Sequence, residues 1–307
     1  SLAWPGRITS PGGLLRLCWC AGIGSGGPCT DPRHFGFDAG SLTVLGPVPS
    51  GFSCVRGRPC RALGPLEGLG LTSAQDRLRL RRSCAAGAPD VELSAGVREA
   101  LSLRLDGNGS LEFGFGDAPA SAAPHEAYAL CWCQASLDGA DRCDASDDFI
   151  TSAGTLQLAG PSTGQPRECS LGQPCAILSI LGVDLRRGDR VTVLEQACGV
   201  GNPLVGLPGT GLAGTADGED YYFLSEELLQ DSDAWNSSAH APWEAASIIH
   251  TAAGVFRLCW CRAEAGEGHA CTAGADFAAS VGLFMARGPY LGQALRCQLG
   301  ANCSLTR

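Results

Sequence analysis

The residues of this chain whose type and spacing could do chemistry are its cysteines, of which there are 17 among 307 residues. Six of them form three Cys-Trp-Cys segments: Cys18 with Cys20, Cys131 with Cys133, and Cys259 with Cys261. Cysteines can form disulfides in an oxidising compartment or bind a metal ion as thiolates. Two cysteines that lie two residues apart in a strand point the same way and cannot bond to each other without severe distortion. Each of the six therefore needs a partner elsewhere.

The other cysteines recur at spacings that suggest those partners. A third cysteine follows each Cys-Trp-Cys segment, a Cys-x-x-Gly-x-x-Cys segment comes next, and a further cysteine completes the pattern in two copies. We predict the pairs Cys20–Cys29, Cys54–Cys60, Cys84–Cys131, Cys133–Cys143, Cys169–Cys175, Cys198–Cys259, Cys261–Cys271 and Cys297–Cys303. This leaves Cys18, whose partner we expect before residue 1. The opposite assignment pairs Cys18 with Cys84 and leaves Cys259 for a partner after Arg307. Connectivity is not fixed by sequence, so both assignments stay open.

Metal binding is the competing interpretation of the cysteines. A zinc site favours Cys-x₂₋₄-Cys pairs, often together with histidine. Here the spacing is Cys-x-Cys, and the five histidines occupy no repeated position. The sequence therefore favours disulfides and predicts neither a metal ion nor another cofactor.

Residues 106–113 imitate the middle of a calcium-binding EF-hand loop. The match fails because the first ligand position would be Arg104 and the position of the bidentate glutamate would be Phe115. The Asp-Gly and Asn-Gly pairs in this stretch instead mark a tight turn between two strands. We therefore predict a β-hairpin here.

Three Asn-x-Ser sequences are candidate sites for N-linked glycans, at Asn108, Asn236 and Asn302. Such a site is used only where it is exposed in a secreted protein. Asn108 lies at the tip of the predicted hairpin, Asn236 lies in a segment that differs between the copies, and Asn302 lies inside a small cysteine loop. We predict covalent glycans at these asparagines.

No set of residues typical of catalysis recurs in the copies. All 22 basic residues are arginine, which excludes mechanisms that need a catalytic lysine. No Ser/His/Asp or Cys/His set is repeated, and a P-loop and a dinucleotide-binding glycine motif are missing. The sequence therefore predicts no enzymatic activity.

Charge also limits the classes of partner. The net charge of −9 argues against a general nucleic-acid binder, because contacts to phosphates need a basic patch. The densest basic run, residues 77–82, alternates arginine with leucine, and we predict that its arginines form the solvent-exposed face of a strand. No stretch of 18 apolar residues is present, so we predict no membrane span in this sequence.

The Cys-Trp-Cys cysteines must be positioned by a strand that the chain uses three times. Its sequence is Leu-Arg-Leu-Cys-Trp-Cys in the first copy, Tyr-Ala-Leu-Cys-Trp-Cys in the second and Phe-Arg-Leu-Cys-Trp-Cys in the third. Because alternate side chains of a strand face opposite ways, one face carries the apolar residue, the leucine and the tryptophan. The other face carries both cysteines. We predict a late strand of a disulfide-bonded β-sandwich, with its apolar stripe facing the core.

The similarity between copies continues beyond this strand and sets the domain organisation. Each copy goes on with a phenylalanine, a glycine and a Gly-Pro pair at fixed offsets, at Phe35, Gly40 and Gly46-Pro47, at Phe149, Gly154 and Gly160-Pro161, and at Phe277, Gly282 and Gly288-Pro289. About seven short strands in about 100 residues are typical of an immunoglobulin-like sandwich. We predict tandem all-β domains of this kind over 40–148 and 149–276. Residues 1–39 would end a preceding repeat, and residues 277–307 would begin a following one.

Residues 199–255 match the corresponding part of the second copy poorly, so we predict a surface insertion there. Four aromatic residues in it could stack on a ligand: Tyr221, Tyr222, Trp235 and Trp243. This allows an alternative function, a recognition ectodomain, either a receptor or a glycan-binding module, that uses the insertion.

The segment Arg16-Leu-Cys-Trp-Cys20, with Phe35, Gly40, Gly46-Pro47 and the Cys54-x-x-Gly-x-x-Cys60 loop, resembles tandem cysteine-rich repeats of protist and algal surface proteins, including mastigoneme-type filament proteins. The resemblance implies a large extracellular glycoprotein that is secreted or part of a cell-surface appendage. It also implies a structural role in a filament, surface coat or adhesive fibre. The partners would be further copies of itself or other extracellular matrix and filament proteins.

Overall fold

The computed structural model of the chain describes residues 8, 10–22, 29–135, 143–173, 175, 177–186, 189–207, 237–241, 248–262, 271–290, 292–294 and 296–300. The regular structure of these residues consists of β-strands and three short 3₁₀ helices, at Pro32–His34, Ser146–Asp148 and Gly274–Asp276. Among them, no helix is long and apolar enough to cross a membrane. The predicted all-β class is confirmed. The chain divides into two compact units, Ser1–Leu158 and Ala159–Arg307.

The described residues of the first unit form eleven strands, the last of which crosses into the second unit. They are β1 (Gly13–Trp19), β2 (Phe37–Val44), β3 (Gly46–Pro47), β4 (Ser50–Val55), β5 (Leu63–Leu66), β6 (Gly68–Leu69), β7 (Asp76–Arg81), β8 (Ser102–Leu105), β9 (Leu111–Gly114), β10 (His125–Gln134) and β11 (Thr151–Pro161). Strands β7, β10 and β11 lie side by side in antiparallel order, and β4 pairs with β11. Strands β5, β9 and β8 form a second antiparallel sheet. Strands β1 and β2 form a separate two-stranded ribbon, and β3 pairs with β6.

Both larger sheets of the first unit line one core. Leu78 and Leu80 of β7 and Leu130 of β10 are fully buried in it, together with Phe113 of β9 and Leu66 of β5. This burial follows from the sequence, since leucine alternates with arginine along β7 and an alternating strand turns one set of side chains inward. The unit is thus built as two sheets over a shared core, and its predicted immunoglobulin-like topology stays a prediction.

In the part of the second unit that the structure describes there are six further strands: β12 (Arg167–Ser170), β13 (Ile177–Val183), β14 (Arg190–Leu194), β15 (Ser237–Ala241), β16 (Gly254–Cys261) and β17 (Ala279–Arg287). Strands β12, β17, β16 and β14 form one sheet in that order, in which β12 runs parallel to β17. Strand β13 pairs with β15 on one side and with Gly160 and Pro161 at the end of β11 on the other.

The compact units do not begin and end where the predicted domains do. The predicted division after residue 148 lies before β11, whereas the two units divide at Leu158, inside that strand. The predicted division after residue 276 likewise separates β16 from β17, although the two pair from Gly254 to Trp260. Each strand that follows a Cys-Trp-Cys segment therefore belongs, by its hydrogen bonds, with the segment before it. The domains predicted from the sequence place this strand in the domain that follows.

Candidate functional site: the cross-linked Cys-Trp-Cys strand

The three Cys-Trp-Cys segments lie on equivalent strands, β1, β10 and β16, and each pairs antiparallel with the strand that follows it. In β10 the two predicted faces are distinct. Tyr128 and Leu130 are buried in the core that the two sheets share, whereas Cys131 and Cys133 lie in a separate small cluster with Phe149. The corresponding cluster of the second unit contains Cys259, Cys261 and the equivalent phenylalanine. Strand β10 thus has the main core on one side and a sulfur-rich core on the other, and β16 carries the equivalent sulfur-rich core beside the buried Leu258 and Trp260.

The described residues contain seven disulfides. They join Cys20 to Cys29, Cys54 to Cys60, Cys84 to Cys131, Cys133 to Cys143, Cys169 to Cys175, Cys198 to Cys259, and Cys261 to Cys271. These are seven of the eight pairs given above from sequence. Cys297 is also disulfide-bonded, and its predicted partner Cys303 lies outside the described residues. Because a sulfur in a disulfide is not a thiolate, the bonded cysteines are not available as zinc ligands.

Cys18 differs from its counterparts in the other copies. It is exposed and is the free cysteine of the described residues, whereas Cys131 and Cys259 are fully buried and bonded. The alternative assignment, in which Cys18 pairs with Cys84, is not the one the structure contains, since Cys84 is bonded to Cys131.

A glycine that the sequence marked only as a repeated offset has a structural role. The strand pairing shifts register after Leu17, Leu130 and Leu258, opposite Gly40, Gly154 and Gly282. Such a β-bulge bends a strand and favours glycine at strained positions. Gly154 has φ of +125°, and a side chain there would collide with the carbonyl oxygen of Ser50 in β4. A side chain at Gly282 would collide in the same way with the carbonyl oxygen of Gln165.

The prediction that the arginines of β7 face solvent is wrong for Arg79 and Arg81. Both are buried on the cysteine side of the sheet, and the Arg81 side chain has no exposed surface. Arg81 forms an ion pair with Asp90 at 3.1 Å and donates a hydrogen bond to the carbonyl oxygen of Phe149 at 2.9 Å. Arg79 forms an ion pair with Glu99 at 2.9 Å. The alternation of arginine with leucine along β7 could not reveal this burial, because the carboxylates that pair with the arginines come from the irregular segment after the strand.

Arg79 also stacks on the buried phenylalanine of this cluster. Its guanidinium carbon lies 4.1 Å from the centre of the Phe149 ring. Ser146 accepts a hydrogen bond from Arg79 at 3.3 Å and donates one to Asp90 at 2.8 Å. The loop after the third cysteine is therefore fixed to β7 by polar contacts as well as by the Cys133–Cys143 disulfide.

The second unit fills the same positions without an ion pair. In the first unit Arg81 pairs with Ala129 of β10 on one side and with Asp90 on the other. In the second unit Leu194 takes the place of Arg81, and it pairs with Arg257 of β16 and with Pro203, which takes the place of Asp90. Leu194 is fully buried in the sulfur-rich cluster. Charged partners in one unit have thus been replaced together by apolar ones in the other, as expected where a buried pair tolerates only joint replacement.

The residue that follows each bonded Cys-Trp-Cys segment anchors a neighbouring turn in both units. Gln134 donates hydrogen bonds to the carbonyl oxygen of Gly70 at 3.2 Å and to Asp76 at 3.1 Å. Arg262 contacts the equivalent groups, the carbonyl oxygen of Asp184 and the carboxylate of Asp189, the latter at 3.3 Å. The repeated pattern did not predict this role, because the residue type differs between the copies.

The two anchored carboxyl groups are buried, and their pKa values respond in the same direction. Loss of hydration raises the pKa of Asp189 in spite of the nearby Arg262. Loss of hydration also raises the pKa of Asp76, against the hydrogen bonds donated by Thr72 and Gln134. Both carboxyl groups serve as acceptors for fixed turns of the fold.

The predicted hairpin is present between β8 and β9, with Asn108 exposed at its tip. One carboxylate oxygen of Asp106 accepts hydrogen bonds from the backbone amides of Asn108 and Ser110, at 2.9 and 2.8 Å. This arrangement is a turn stabilised by its own aspartate. The other predicted glycan sites, Asn236 and Asn302, lie outside the described residues.

Part of the predicted surface insertion at 199–255 belongs to the framework of the second unit. Strand β15 pairs with β13, and Leu204, Leu207 and Ile249 are buried. The prediction is therefore wrong for these parts, because strand pairing and apolar burial do not require sequence similarity. The aromatic residues Tyr221, Tyr222, Trp235 and Trp243 of the alternative recognition function lie outside the described residues.

Among the residues that the structure describes, no group of three or more histidine, cysteine, aspartate or glutamate side chains is placed to hold a metal ion. No protein-family model matches the chain, and no curated protein sequence matches it.

Proposed function

We propose that this chain is part of an extracellular structural glycoprotein, in which tandem copies of a cross-linked β-unit build a filament, a surface coat or an adhesive fibre. Its partners are further copies of the same protein or other extracellular matrix and filament proteins. The resemblance to cysteine-rich repeats of protist and algal surface proteins belongs to the same proposal. What the copies share is the set of residues that folds them, which favours a structural role over an enzymatic one.

The observation that carries the proposal is the way in which one copy connects to the next. Strand β2 forms hydrogen bonds with β1 of the first copy. Only Leu45 separates it from β3, which pairs with β6 of the following copy. Two consecutive copies are therefore joined by a nearly continuous strand that is hydrogen-bonded along its length. Such a connection suits a repeat array in which each unit supports its neighbour and the joint does not act as a flexible linker.

The disulfides support the extracellular setting. Seven of them close loops within the described residues, and disulfides persist chiefly in oxidising compartments. The exposed Asn108 at a hairpin tip is accessible to the glycosylation machinery of a secretory pathway. Covalent cross-links at such density also resist proteolysis and mechanical extension, which are demands on extracellular fibres.

Immuno-electron microscopy of the cells that produce the protein tests the proposal. An antibody raised against the folded chain is expected to label extracellular fibres or a coat at the cell surface, and labelling should disappear when the antibody is first saturated with the chain. Label confined to an intracellular compartment would contradict the proposal. Label on scattered surface particles with no fibrous or layered arrangement would contradict the structural role.

A further inference from the structure

The ribbon formed by β1 and β2, with the turn before β2, exposes residues whose counterparts are buried in at least one other copy. Trp19 is 55% exposed, whereas the equivalent Trp260 has no exposed surface. Phe35 is 39% exposed, and its counterparts Phe149 and Phe277 are at most 1% exposed. Leu15 is also exposed where the second copy places the buried Tyr128. Apolar side chains of this kind, on β1 and in the turn before β2, mark an interaction surface.

Both outer edges of the ribbon also lack the neighbours that the other copies have. Strand β10 pairs with β7 and strand β16 with β14, on the edge away from the following strand. Strand β11 pairs with β4 and strand β17 with β12. Within the described residues, β1 and β2 pair only with each other. Unpaired edges of this kind accept an added strand.

The bulge glycine of the ribbon, Gly40, has a backbone conformation that in the next copy accompanies close contact with a third strand. Gly40 has φ of +124°, almost the value of +125° at Gly154. A side chain at Gly154 would collide with the carbonyl oxygen of Ser50 in β4, but a side chain at Gly40 would meet nothing within 4 Å. The backbone of the ribbon thus has the conformation that allows close approach of a strand like β4, and that place is open.

Cys18 completes the set of unfilled contacts. Its counterparts Cys131 and Cys259 are bonded to Cys84 and Cys198, which lie shortly after the strands β7 and β14. A neighbour that paired with β1 as β7 pairs with β10 would bring an equivalent cysteine to Cys18. One kind of polypeptide would therefore satisfy the free edge, the open glycine and the free thiol together.

We propose that the β1–β2 ribbon is a docking surface for a polypeptide segment of the same repeat type, which supplies strands like β4 and β7 and an unpaired cysteine that bonds to Cys18. A second copy of this chain does not fit in its folded form, because its β7 is paired with β10 and its Cys84 is bonded to Cys131. The occupant is a segment that carries such strands without a closing ribbon of its own. The proposal rests on the proposed function for the oxidising setting and names what one copy joins to.

The bond to Cys18 requires an oxidant, and the disulfide of oxidised glutathione supplies it. The Cys18 thiolate attacks one sulfur of this disulfide and releases one molecule of reduced glutathione. The thiolate of the partner cysteine then attacks Cys18 in the mixed disulfide and releases the second. Two protein thiols are oxidised to one disulfide, and one glutathione disulfide is reduced to two thiols.

A fusion protein tests the docking surface. Residues 46–124, which hold the β4 and β7 strands and Cys84 but no ribbon, are placed directly before Gly12, the position that follows them in the second copy. The fusion and the chain itself are refolded with a glutathione redox pair. We expect peptide mapping to find Cys18 bonded to the grafted Cys84, and amide hydrogen exchange in β1 and β2 to slow at least tenfold. In the chain itself, Cys18 is expected to react with an alkylating reagent.

Two matched variants separate the contacts. With the grafted Cys84→Ser, protection of β1 and β2 is expected to persist while Cys18 becomes alkylatable. With Gly40→Ala, the added methyl group would face the grafted Ser50 carbonyl, and the protection should fall. A fusion in which Cys18 stays alkylatable and the ribbon exchanges as in the chain itself overturns the proposal. An unfolded graft would overturn the proposal as well, because residues 46–124 fold against β10 and β11 at their natural position in the chain and should fold against an equivalent ribbon. The microscopy test of the proposed function is unaffected by that result.

Discussion

At the residue scale, the cysteine side of the sheet in the first unit contains a buried ion pair. Arg81 is fully buried and Asp90 nearly so, and their ion pair is accompanied by the hydrogen bond to Phe149. Such a pair contributes little net stability compared with apolar side chains, but breaking it leaves the buried Asp90 with only the longer contacts to Arg79 and Arg98, at 3.6 and 3.9 Å. The second unit, with Leu194 and Pro203 in the same places, is an internal example of the apolar solution.

Replacing Arg81 alone should therefore be more damaging than replacing both partners. We expect Arg81→Leu to lower the free energy of unfolding of the first unit by about 3–5 kcal/mol, because Asp90 stays buried and loses its nearest cation. The double variant Arg81→Leu/Asp90→Pro, which copies the second unit, should recover most of that loss. Urea unfolding of the three proteins provides the measurement. A single variant as stable as the double variant would mean that the ion pair does not hold this site together.

Asp189 gives a pH dependence whose sign follows from its burial. Because loss of hydration raises its pKa in the folded state, the folded protein binds this proton more tightly than the unfolded chain does. The charged carboxylate then lowers stability at neutral pH, and this cost disappears as the pH falls through the raised pKa towards the ordinary value. The contribution is therefore lost as the pH rises and regained on acidification.

We expect the unfolding free energy of the native chain, relative to that of Asp189→Asn, to increase from neutral to mildly acidic pH. Denaturant unfolding of both proteins across that range measures the difference. Asp76→Asn is the matched variant in the first unit, where burial also raises the pKa, so it should show the same direction. A relative stability that falls on acidification would show that the ion pair with Arg262 outweighs burial.

At the scale of single elements, the strand after each Cys-Trp-Cys segment is defined by its bulge. The bulge glycine allows a third strand to approach so closely that a single methyl group would collide, as between Gly154 and Ser50. Gly40 has the same backbone conformation, but a side chain there would meet no atom within 4 Å, so comparison of the two glycines separates two effects of a substitution. One is the strain of a positive φ, and the other is the contact with the neighbouring strand.

Gly40→Ala should lower the stability of the chain by about 1–3 kcal/mol at most, the usual cost of a strained φ. Gly154→Ala should cost clearly more, because the added methyl group would also push β4 away from β11. Thermal unfolding, followed by circular dichroism, compares the two variants directly. Equal losses would mean that close approach of β4 contributes nothing at this position.

At the scale of the whole molecule, stability depends on how much chain each disulfide closes. The Cys84–Cys131 bond joins residues 47 apart, whereas Cys54–Cys60 joins residues 6 apart. Closing a longer loop removes more conformational freedom from the unfolded chain, which gives about 4 kcal/mol for the first bond and about 2 kcal/mol for the second. The Cys84–Cys131 bond also ties the segment after β7 to β10, so it holds the edge of the sheet.

We expect Cys84→Ala/Cys131→Ala to speed amide hydrogen exchange in β7 and β10 more than Cys54→Ala/Cys60→Ala does. Native-state exchange, read on peptides from these strands, measures the local free energy of opening. The second pair of substitutions is the control for loss of a disulfide as such. Equal protection in the two variants would show that loop length does not govern the contribution of these bonds.

The sequence by itself determined the chemistry and the local elements of this protein. Cysteines at fixed spacings predicted the seven disulfides that the structure contains, but the sequence left two assignments of Cys84 open, and only the structure decides for the Cys84–Cys131 bond. Alternation along Tyr-Ala-Leu-Cys-Trp-Cys was enough to separate the apolar face of β10 from its cysteine face. Asp-Gly and Asn-Gly pairs were enough for the hairpin between β8 and β9.

Only the tertiary structure decided what lies against those elements. Arg79 and Arg81 of β7 are buried because carboxylates of the irregular segment after β7 pair with them, and β15 joins a sheet without resembling its counterpart. The unit boundary falls inside β11 because hydrogen bonds follow the ladder between strands, whatever the spacing of the cysteines. Likewise, only the structure shows that the outer edges of the β1–β2 ribbon are unpaired within the described residues. A strand's sequence sets which side chains it turns each way, but pairing depends on which strands reach it.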